Sequence, residues 1–161
     1  METLLICRSA DALDGRLTKT GQVQSTRLAG LLAALVVGRA VRILAAVDPE
    51  SRDTAALIAK GLGVPHVTPN PQLSAGPGYL TGFDASTAYR ILLAESSDAH
   101  VAIIVTGAMA ANMLRFVACA NSGVPVPHER IRSGEAWAVH LRQGRAERIH
   151  YDVVLAEADA P

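Results

Sequence analysis

Residues 4–28 read LLICRSADALDGRLTKTGQVQSTRL, an apolar run followed by a polar loop and an amphipathic segment. Residues 3–7 predict a short strand that is covered on both faces of a sheet. From residue 20 to residue 36, apolar side chains recur at helical spacing and predict a helix with one buried face. Residues 8–10 would then lie just beyond the carboxyl end of the strand.

The composition of the chain restricts its class. Its 161 residues, half of them apolar, are enough for a full hydrophobic core, and we expect residues 1–161 to form a single domain. Fifteen basic and fifteen acidic residues give no net charge. This balance argues against a nucleic-acid partner and against an anionic membrane surface.

Cysteine usage and hydropathy indicate the compartment. Cys7 and Cys119 have neither a CxxC nor a Cys/His spacing, so we expect no metal site. No apolar run reaches the roughly 20 residues of a membrane helix, and residues 1–7 are too short for a signal-peptide core. We therefore expect a cytoplasmic protein without disulfides, metals or cofactors.

Strands and helices alternate along the rest of the chain. Two further buried strands are predicted at 41–47 and 100–105, and helices at 49–62, 84–93 and 108–120. Proline and glycine dominate the segment 65–83, which is interpreted as a loop. The segments 136–141 and 148–155 alternate in polarity and predict an antiparallel hairpin around residues 143–144.

This order of elements predicts an α/β fold, a three-layer αβα sandwich with a mostly parallel sheet. In an open sheet of this kind the ligand crevice forms beyond the carboxyl ends of the strands. Residues 8–10, 47–51 and 106–108 are therefore expected to line one crevice.

The stretch 4–28 resembles the opening of the histidine phosphatase superfamily, the phosphoglycerate-mutase-like enzymes. In that family a strand leads into Arg-His-Gly and then into Leu-Thr-x-x-Gly-x-x-Gln and a helix. Four residues of this chain have the second spacing: Leu17, Thr18, Gly21 and Gln24. Arg8 stands where the family's Arg stands, but Ser9 replaces the nucleophilic His and Ala10 replaces the Gly. The resemblance implies a phosphoglycerate-mutase-like fold with a minimal cap insertion.

The resemblance continues through later segments, again with the reactive groups replaced. The family's Arg-x-x-x-Thr-Ala pattern keeps Thr54, but Glu50 replaces the Arg. Ala75 stands at the position of the acidic proton donor. In the family's Val-x-Ser-His-Gly segment, Thr106 stands for the Ser and Gly107 for the second catalytic His.

The family's reaction needs an imidazole that attacks phosphorus, an acid that protonates the leaving oxygen, and several cations around the phosphoryl group. Ser9, Ala75, Gly107 and Glu50 occupy the positions of four such groups, and only Arg8 remains. Groups that act as a unit are not additive, and the loss of four is expected to abolish the reaction. The resemblance therefore predicts a pseudoenzyme without catalytic residues.

Arg8, Ser9 and Thr106 are the candidates for binding a ligand in the remodelled crevice. The guanidinium would bind an anionic group, and the two hydroxyls would be further partners. Alternatively, Arg8 pairs with Glu50 across the old pocket. The ion pair is the favoured interpretation, because opposite charges in one concave site usually pair.

A replacement nucleophile is the remaining route to activity. Ser9 would need a base within hydrogen-bond distance. None of the histidines is expected to face the crevice; they are His66, His100, His128, His140 and His150. Asp11 and Asp14 are interpreted as a capping or turn pair. Arg52 is expected to face away from the site of the missing Arg, because helical residues two positions apart differ by about 200° in direction.

Three functions remain open. The first is a non-catalytic interaction or regulatory module with a protein partner, and the resemblance is also compatible with a homodimer. The second is a sensor of a small anionic ligand, bound by Arg8 in the pocket that Ser9 and Gly107 open. The third is a residual or altered phosphatase or phosphomutase-type hydrolase that uses Ser9.

Overall fold

A computed structural model describes residues 1–74 and 84–150. In chain order its strands are β1 (Thr3–Arg8), β2 (Ala12–Leu13), β3 (Arg16–Leu17), β4 (Val41–Ala45), β5 (Val67–Pro69), β6 (Val101–Thr106), β7 (Ala136–His140) and β8 (Arg145–Ile149). Its α-helices are α1 (Lys19–Val36), α2 (Pro49–Leu62), α3 (Ala85–Glu95) and α4 (Ala108–Asn121). No helix in these two ranges is long and apolar enough to cross a membrane.

The main sheet has the strand order β5-β4-β6-β1-β7-β8. Strands β5, β4, β6 and β1 run parallel, whereas β7 is antiparallel to β1 and β8 is antiparallel to β7. Cys7 in β1 is paired with Val105 on one side and with Ala136 on the other. This inner position explains why residues 3–7 form a continuous apolar run.

Helices cover both faces of the sheet, which confirms the predicted three-layer sandwich. On one face, Leu28 of α1 and Ile58 of α2 pack in a cluster with Leu5. On the other face, Leu92 of α3 and Leu114 of α4 pack in a cluster with neighbouring strand residues. Successive residues of β1 contribute to opposite clusters, as side chains of a strand must.

The helix ends follow from local chemistry. Asp48 caps α2, because its carboxylate accepts a hydrogen bond from Ser51 N at 3.0 Å, and Pro49 occupies the first helical position. Gly63 ends the helix with φ of 67°, a conformation that favours glycine. Asp84 caps α3 in the same way as Asp48 caps α2.

Two small elements were missed in the sequence. The sequence predicts a loop over 65–83, but β5 lies within it and extends the sheet beside β4. The pair β2 and β3 forms a hairpin with Asp14 and Gly15 at its turn, both at positive φ. Asp-Gly is the usual signature of such a turn and could have revealed it.

Some boundaries also differ from the prediction. Strand β4 ends at Ala45 rather than at residue 47. Ala46 N still donates to Val105 O at 2.9 Å, whereas Val47 N donates to the Ser74 hydroxyl at 3.1 Å. The predicted hairpin exists, but β8 begins at Arg145, three residues earlier than expected. Residues 151–155 of that predicted strand lie outside the described residues.

Candidate functional site

The loops that follow β1 and β6 and the start of α2 meet at one edge of the sheet. Ser9 N donates to Thr106 O at 2.8 Å, which joins the ends of β1 and β6. Ala10 N donates to the Thr54 hydroxyl at 3.0 Å, and that hydroxyl donates to Glu50 O at 2.7 Å. The three segments predicted to line one crevice therefore lie together.

The motif Leu-Thr-x-x-Gly-x-x-Gln shapes this crevice through its contacts with Asp11. The Thr18 hydroxyl donates to the Asp11 carboxylate at 2.6 Å, and the Gln24 side-chain oxygen accepts from Asp11 N at 2.9 Å. At Gly21, a Cβ would lie 2.0 Å from Asp11 O, so only glycine allows this approach. The motif thus fixes the backbone of the loop after Ser9. Of the predicted capping or turn pair, Asp14 lies in the β2–β3 turn and Asp11 lies in the loop before β2.

Arg8 is half-buried and does not form the predicted ion pair. Its Nη1 donates to Ile131 O at 3.1 Å, and no ion pair between described residues joins Arg8 to Glu50. The strand order gives the physical reason. Glu50 follows β4, which β6 separates from β1, whereas Ile131 precedes β7, the direct neighbour of β1. The guanidinium therefore binds a neutral carbonyl and keeps its charge.

The loop that carries Ile131 is held from behind by α4. Asn112 Oδ1 accepts from Ile131 N at 3.0 Å, and Arg115 Nη2 donates to Glu129 O. Arg115 is only 4% exposed, and its guanidinium carbon lies 4.6 Å from the centre of the Trp137 ring. Burial lowers the pKa of Arg115. This arginine was not singled out in the sequence, although a cation among the apolar residues of a helix was a usable signal.

Thr106 is not available to a ligand, contrary to its prediction as a binding residue. Its side chain is fully buried, and its hydroxyl donates to Leu73 O at 2.6 Å. The residue instead fastens the segment after β5 to the end of β6. Leu73 lies in the predicted loop 65–83, so the sequence gives no signal that its carbonyl accepts from Thr106.

Ser9 and Gly107 leave the centre of the crevice without a reactive pair. Ser9 is nearly buried, and its hydroxyl makes no hydrogen bond to any described residue. Gly107 caps α4 without a side-chain bond, and a Cβ there would meet no heavy atom within 4 Å. The position that resembles the family's second His therefore faces open space. Ala75, at the donor position, lies outside the described residues.

No histidine among the described residues is hydrogen bonded to Ser9. His140 Nδ1 lies 3.2 Å from the Thr3 hydroxyl, and His100 Nδ1 accepts from Ala40 N at 3.0 Å, so both are at the opposite end of the sheet. The other three histidines are exposed: His66, His128 and His150. Within residues 1–74 and 84–150, no group of three His, Cys, Asp or Glu side chains could hold a metal ion.

Arg52 borders a cavity at the end of β4. This cavity has a volume of about 480 Å³, and Arg52 lines it beside Val47, Val67 and Pro69. That Arg52 faces away from the position of the missing Arg remains a prediction from helical geometry.

Comparison with known proteins places the fold. Neither a family model nor a curated protein matches the sequence. The structure is similar to that of the protein histidine phosphatase SixA complexed with tungstate, with a TM-score of 0.65 and 18% identity over 91% of this chain and 93% of SixA. It is also similar to the α-ribazole phosphatase from Shigella flexneri, with a TM-score of 0.62 and 17% identity over 91% of this chain and 94% of that enzyme.

A third neighbour is a mycobacterial glucosyl-3-phosphoglycerate phosphatase, with a TM-score of 0.63 and 13% identity over 91% of this chain and 96% of the neighbour. These neighbours are histidine phosphatase superfamily proteins, and a phosphoglycerate mutase from Plasmodium falciparum is similar as well. The chain thus has the α/β fold of phosphoglycerate-mutase-like proteins, as the sequence predicted. A shared fold does not carry the chemistry, which depends on the site.

Proposed function

We propose that the chain is a catalytically inactive histidine-phosphatase-like domain that acts as an interaction or regulatory module. The observation that carries the proposal is the unsupported Ser9 hydroxyl. It stands in the crevice without an imidazole or carboxylate partner among the described residues, and Gly107 opposite it has no side chain. A serine without a base is a poor nucleophile, and phosphohistidine chemistry requires an imidazole.

The retained framework supports a binding role. Thr54, Thr18 and Gln24 still hold the crevice loops by side-chain hydrogen bonds, although the reactive groups of the resembling enzymes are replaced. A rigid concave surface is useful for recognition whether or not a reaction follows. The proposed binding role therefore depends on the folded framework and does not require the catalytic groups that are replaced.

The rim of the crevice is suited to a protein partner. Leu13, at the tip of the β2–β3 hairpin, is 70% exposed, and Val47 is also exposed. A Cβ at Gly15 would lie 3.8 Å from Pro49 Cγ, so the hairpin tip and the start of α2 are adjacent. Exposed apolar side chains around a polar concavity are typical of interaction sites.

Phosphate release from para-nitrophenyl phosphate and from a panel of natural phosphomonoesters tests the loss of catalysis. The wild type is compared with Arg8→Ala and with Ser9→Ala. We expect no turnover by the wild type above that of either variant. Turnover that Arg8→Ala abolishes would refute the proposal and favour the residual hydrolase, whereas turnover that survives both substitutions would be contamination.

Affinity capture tests the partner. The double variant Leu13→Ser/Val47→Ser is expected to lose a partner that the wild type retains. Phe116→Ser, which removes an exposed apolar side chain from α4, serves as the matched control and is expected to retain it. A protein that stays monomeric and captures nothing would count against the module.

A specific observation favours a second candidate, a sensor of small anions. Arg8 is bound to a carbonyl and not neutralised by Glu50, so its charge remains available in the crevice. Phosphate, tungstate and sugar phosphates are expected to raise the melting temperature of the wild type but not of Arg8→Ala. Absence of any shift across this panel would exclude the sensor.

A further inference from the structure

A second cavity, polar and open, lies at the end of the sheet opposite the crevice. Its volume is about 580 Å³, and it is bordered by the start of β1, the end of α1 and the turn between β7 and β8. Three arginines line it: Arg39, Arg142 and Arg145. Nothing in the crevice chemistry requires these residues.

The arginines outnumber their carboxylate partners. Arg39 Nη2 binds Glu2 at 2.7 Å, and Arg145 Nη1 contacts Glu147 at 3.4 Å. Arg142 Nη1 is 3.9 Å from Glu2, beyond hydrogen-bond distance, and its side chain is 76% exposed. Among the described residues, these three guanidiniums and two carboxylates leave one positive charge. An anion entering the cavity therefore meets the guanidinium of Arg142, which makes no hydrogen bond to a described residue.

The base of the cavity is fixed. His140 is buried and held between the Thr3 hydroxyl at 3.2 Å and Glu147 at 2.8 Å. Arg39 Nη1 donates to Leu35 O at 3.1 Å, in the last turn of α1. Because a helix ends with a negative dipole, this bond reduces the repulsion that α1 would exert on an anion.

One wall of the cavity is apolar and is formed by Ala34, Leu35 and Val37. Val37 is largely exposed, so this wall is open to a ligand. The volume falls within the range of roughly 300–1,000 Å³ that small-molecule sites occupy. We infer that the cavity binds an organic polyanion of nucleotide size, with its phosphate groups against the three arginines and its apolar part against Val37.

Isothermal titration with ATP in magnesium-free buffer tests this inference. Arg142→Glu reverses the exposed guanidinium without removing a buried contact, so the fold should persist, which a thermal melt checks. Arg90→Glu on α3 is the matched control, because it makes the same change in net charge at an exposed site outside the cavity. Arg8→Ala reports binding in the crevice.

We expect ATP to bind the wild type and Arg90→Glu alike, and to bind Arg142→Glu at least about tenfold more weakly. Arg145→Glu should weaken binding in the same direction. Three results would overturn the inference: no binding to the wild type, loss in Arg8→Ala with retention in Arg142→Glu, or equal weakening in Arg90→Glu. None of these results depends on whether the crevice is catalytic.

Discussion

Thr54 on α2 holds the backbone of Ala10, because the Thr54 hydroxyl accepts a hydrogen bond from Ala10 N at 3.0 Å. The same hydroxyl donates to Glu50 O at 2.7 Å, and Thr54 is fully buried. A single side chain thus joins the loop after β1 to the first turn of α2. The crevice keeps its shape through such contacts, which do not depend on any reactive group.

Thr54→Val removes both hydrogen bonds while keeping the shape of the side chain. It leaves the buried Ala10 N–H without an acceptor, so we expect a loss of about 1–3 kcal/mol in the free energy of unfolding. Urea denaturation at equilibrium measures this loss. Thr54→Ser keeps the hydroxyl and should lose less, and an equal loss in both variants would assign the effect to packing instead.

Gly21→Ala should destabilise the protein although alanine is the better helix former. The new Cβ would lie 2.0 Å from Asp11 O, and relief of such a contact costs about 1–3 kcal/mol. Gly30→Ala on the same helix is the control, because a Cβ there meets nothing within 4 Å. That variant should gain about 0.5–1 kcal/mol from helix propensity. If the melting temperatures of Gly21→Ala and Gly30→Ala shift in the same direction, the close approach of Gly21 to Asp11 is contradicted.

Ser51→Ala should stabilise the protein. The Ser51 hydroxyl is fully buried and has no hydrogen-bond partner in the part of the chain that the structure describes, whereas the equally buried Ser25 hydroxyl donates to Gly21 O at 2.9 Å. An unsatisfied buried polar group is unfavourable, so Ser51→Ala should exceed Ser25→Ala in unfolding free energy by about 1 kcal/mol. Guanidinium denaturation of both variants measures the difference. A Ser25→Ala variant that is more stable than Ser51→Ala would contradict this prediction.

Alkaline pH should weaken the protein through Cys7. Burial raises the pKa of the Cys7 thiol from 9.0 to about 12. The unfolded chain therefore releases this proton first, and the contribution of Cys7 is complete below pH 9.0 and is lost as the pH rises towards 12. Its slope approaches about 1.4 kcal/mol per pH unit. The stability advantage of the wild type over Cys7→Ala should narrow above pH 9.0, and a constant advantage would contradict the raised pKa.

Glu50→Arg should be tolerated and should strengthen oxyanion binding. No ion pair with Arg8 is lost, so the main cost is a cation in the first turn of α2, about 0.3–1 kcal/mol. The crevice gains a second guanidinium, and tungstate should stabilise the variant more than the wild type in thermal melts. A loss well above 1 kcal/mol, with no added effect of tungstate, would instead favour a Glu50 that stabilises the crevice.

Most of the fold could be predicted because its signals are local. The apolar run of β1, the Asp48 cap and the left-handed Gly63 define their elements without help from distant residues. Strand β5 has only three residues and ends in Pro69, so it has no pattern of its own. It becomes a strand because β4 offers an unpaired edge.

The site was predicted in its location but not in its contacts. Motif spacing placed Arg8 and Ser9 at the crevice, since these residues follow a recognisable strand. The partner of Arg8 depends on which strand lies beside β1, and the chain order does not reveal this. The same is true of Thr106, whose acceptor Leu73 lies outside every predicted element.

The length of strand β1 determines how far apart the two proposed binding sites lie. Its first residue, Thr3, borders the arginine-lined cavity, and its last residue, Arg8, enters the crevice. Six extended residues separate the two ends by roughly 17 Å, and the strand is clamped between β6 and β7. The two proposed sites therefore lie at opposite ends of the domain, far enough apart that a ligand in one would not touch a ligand in the other.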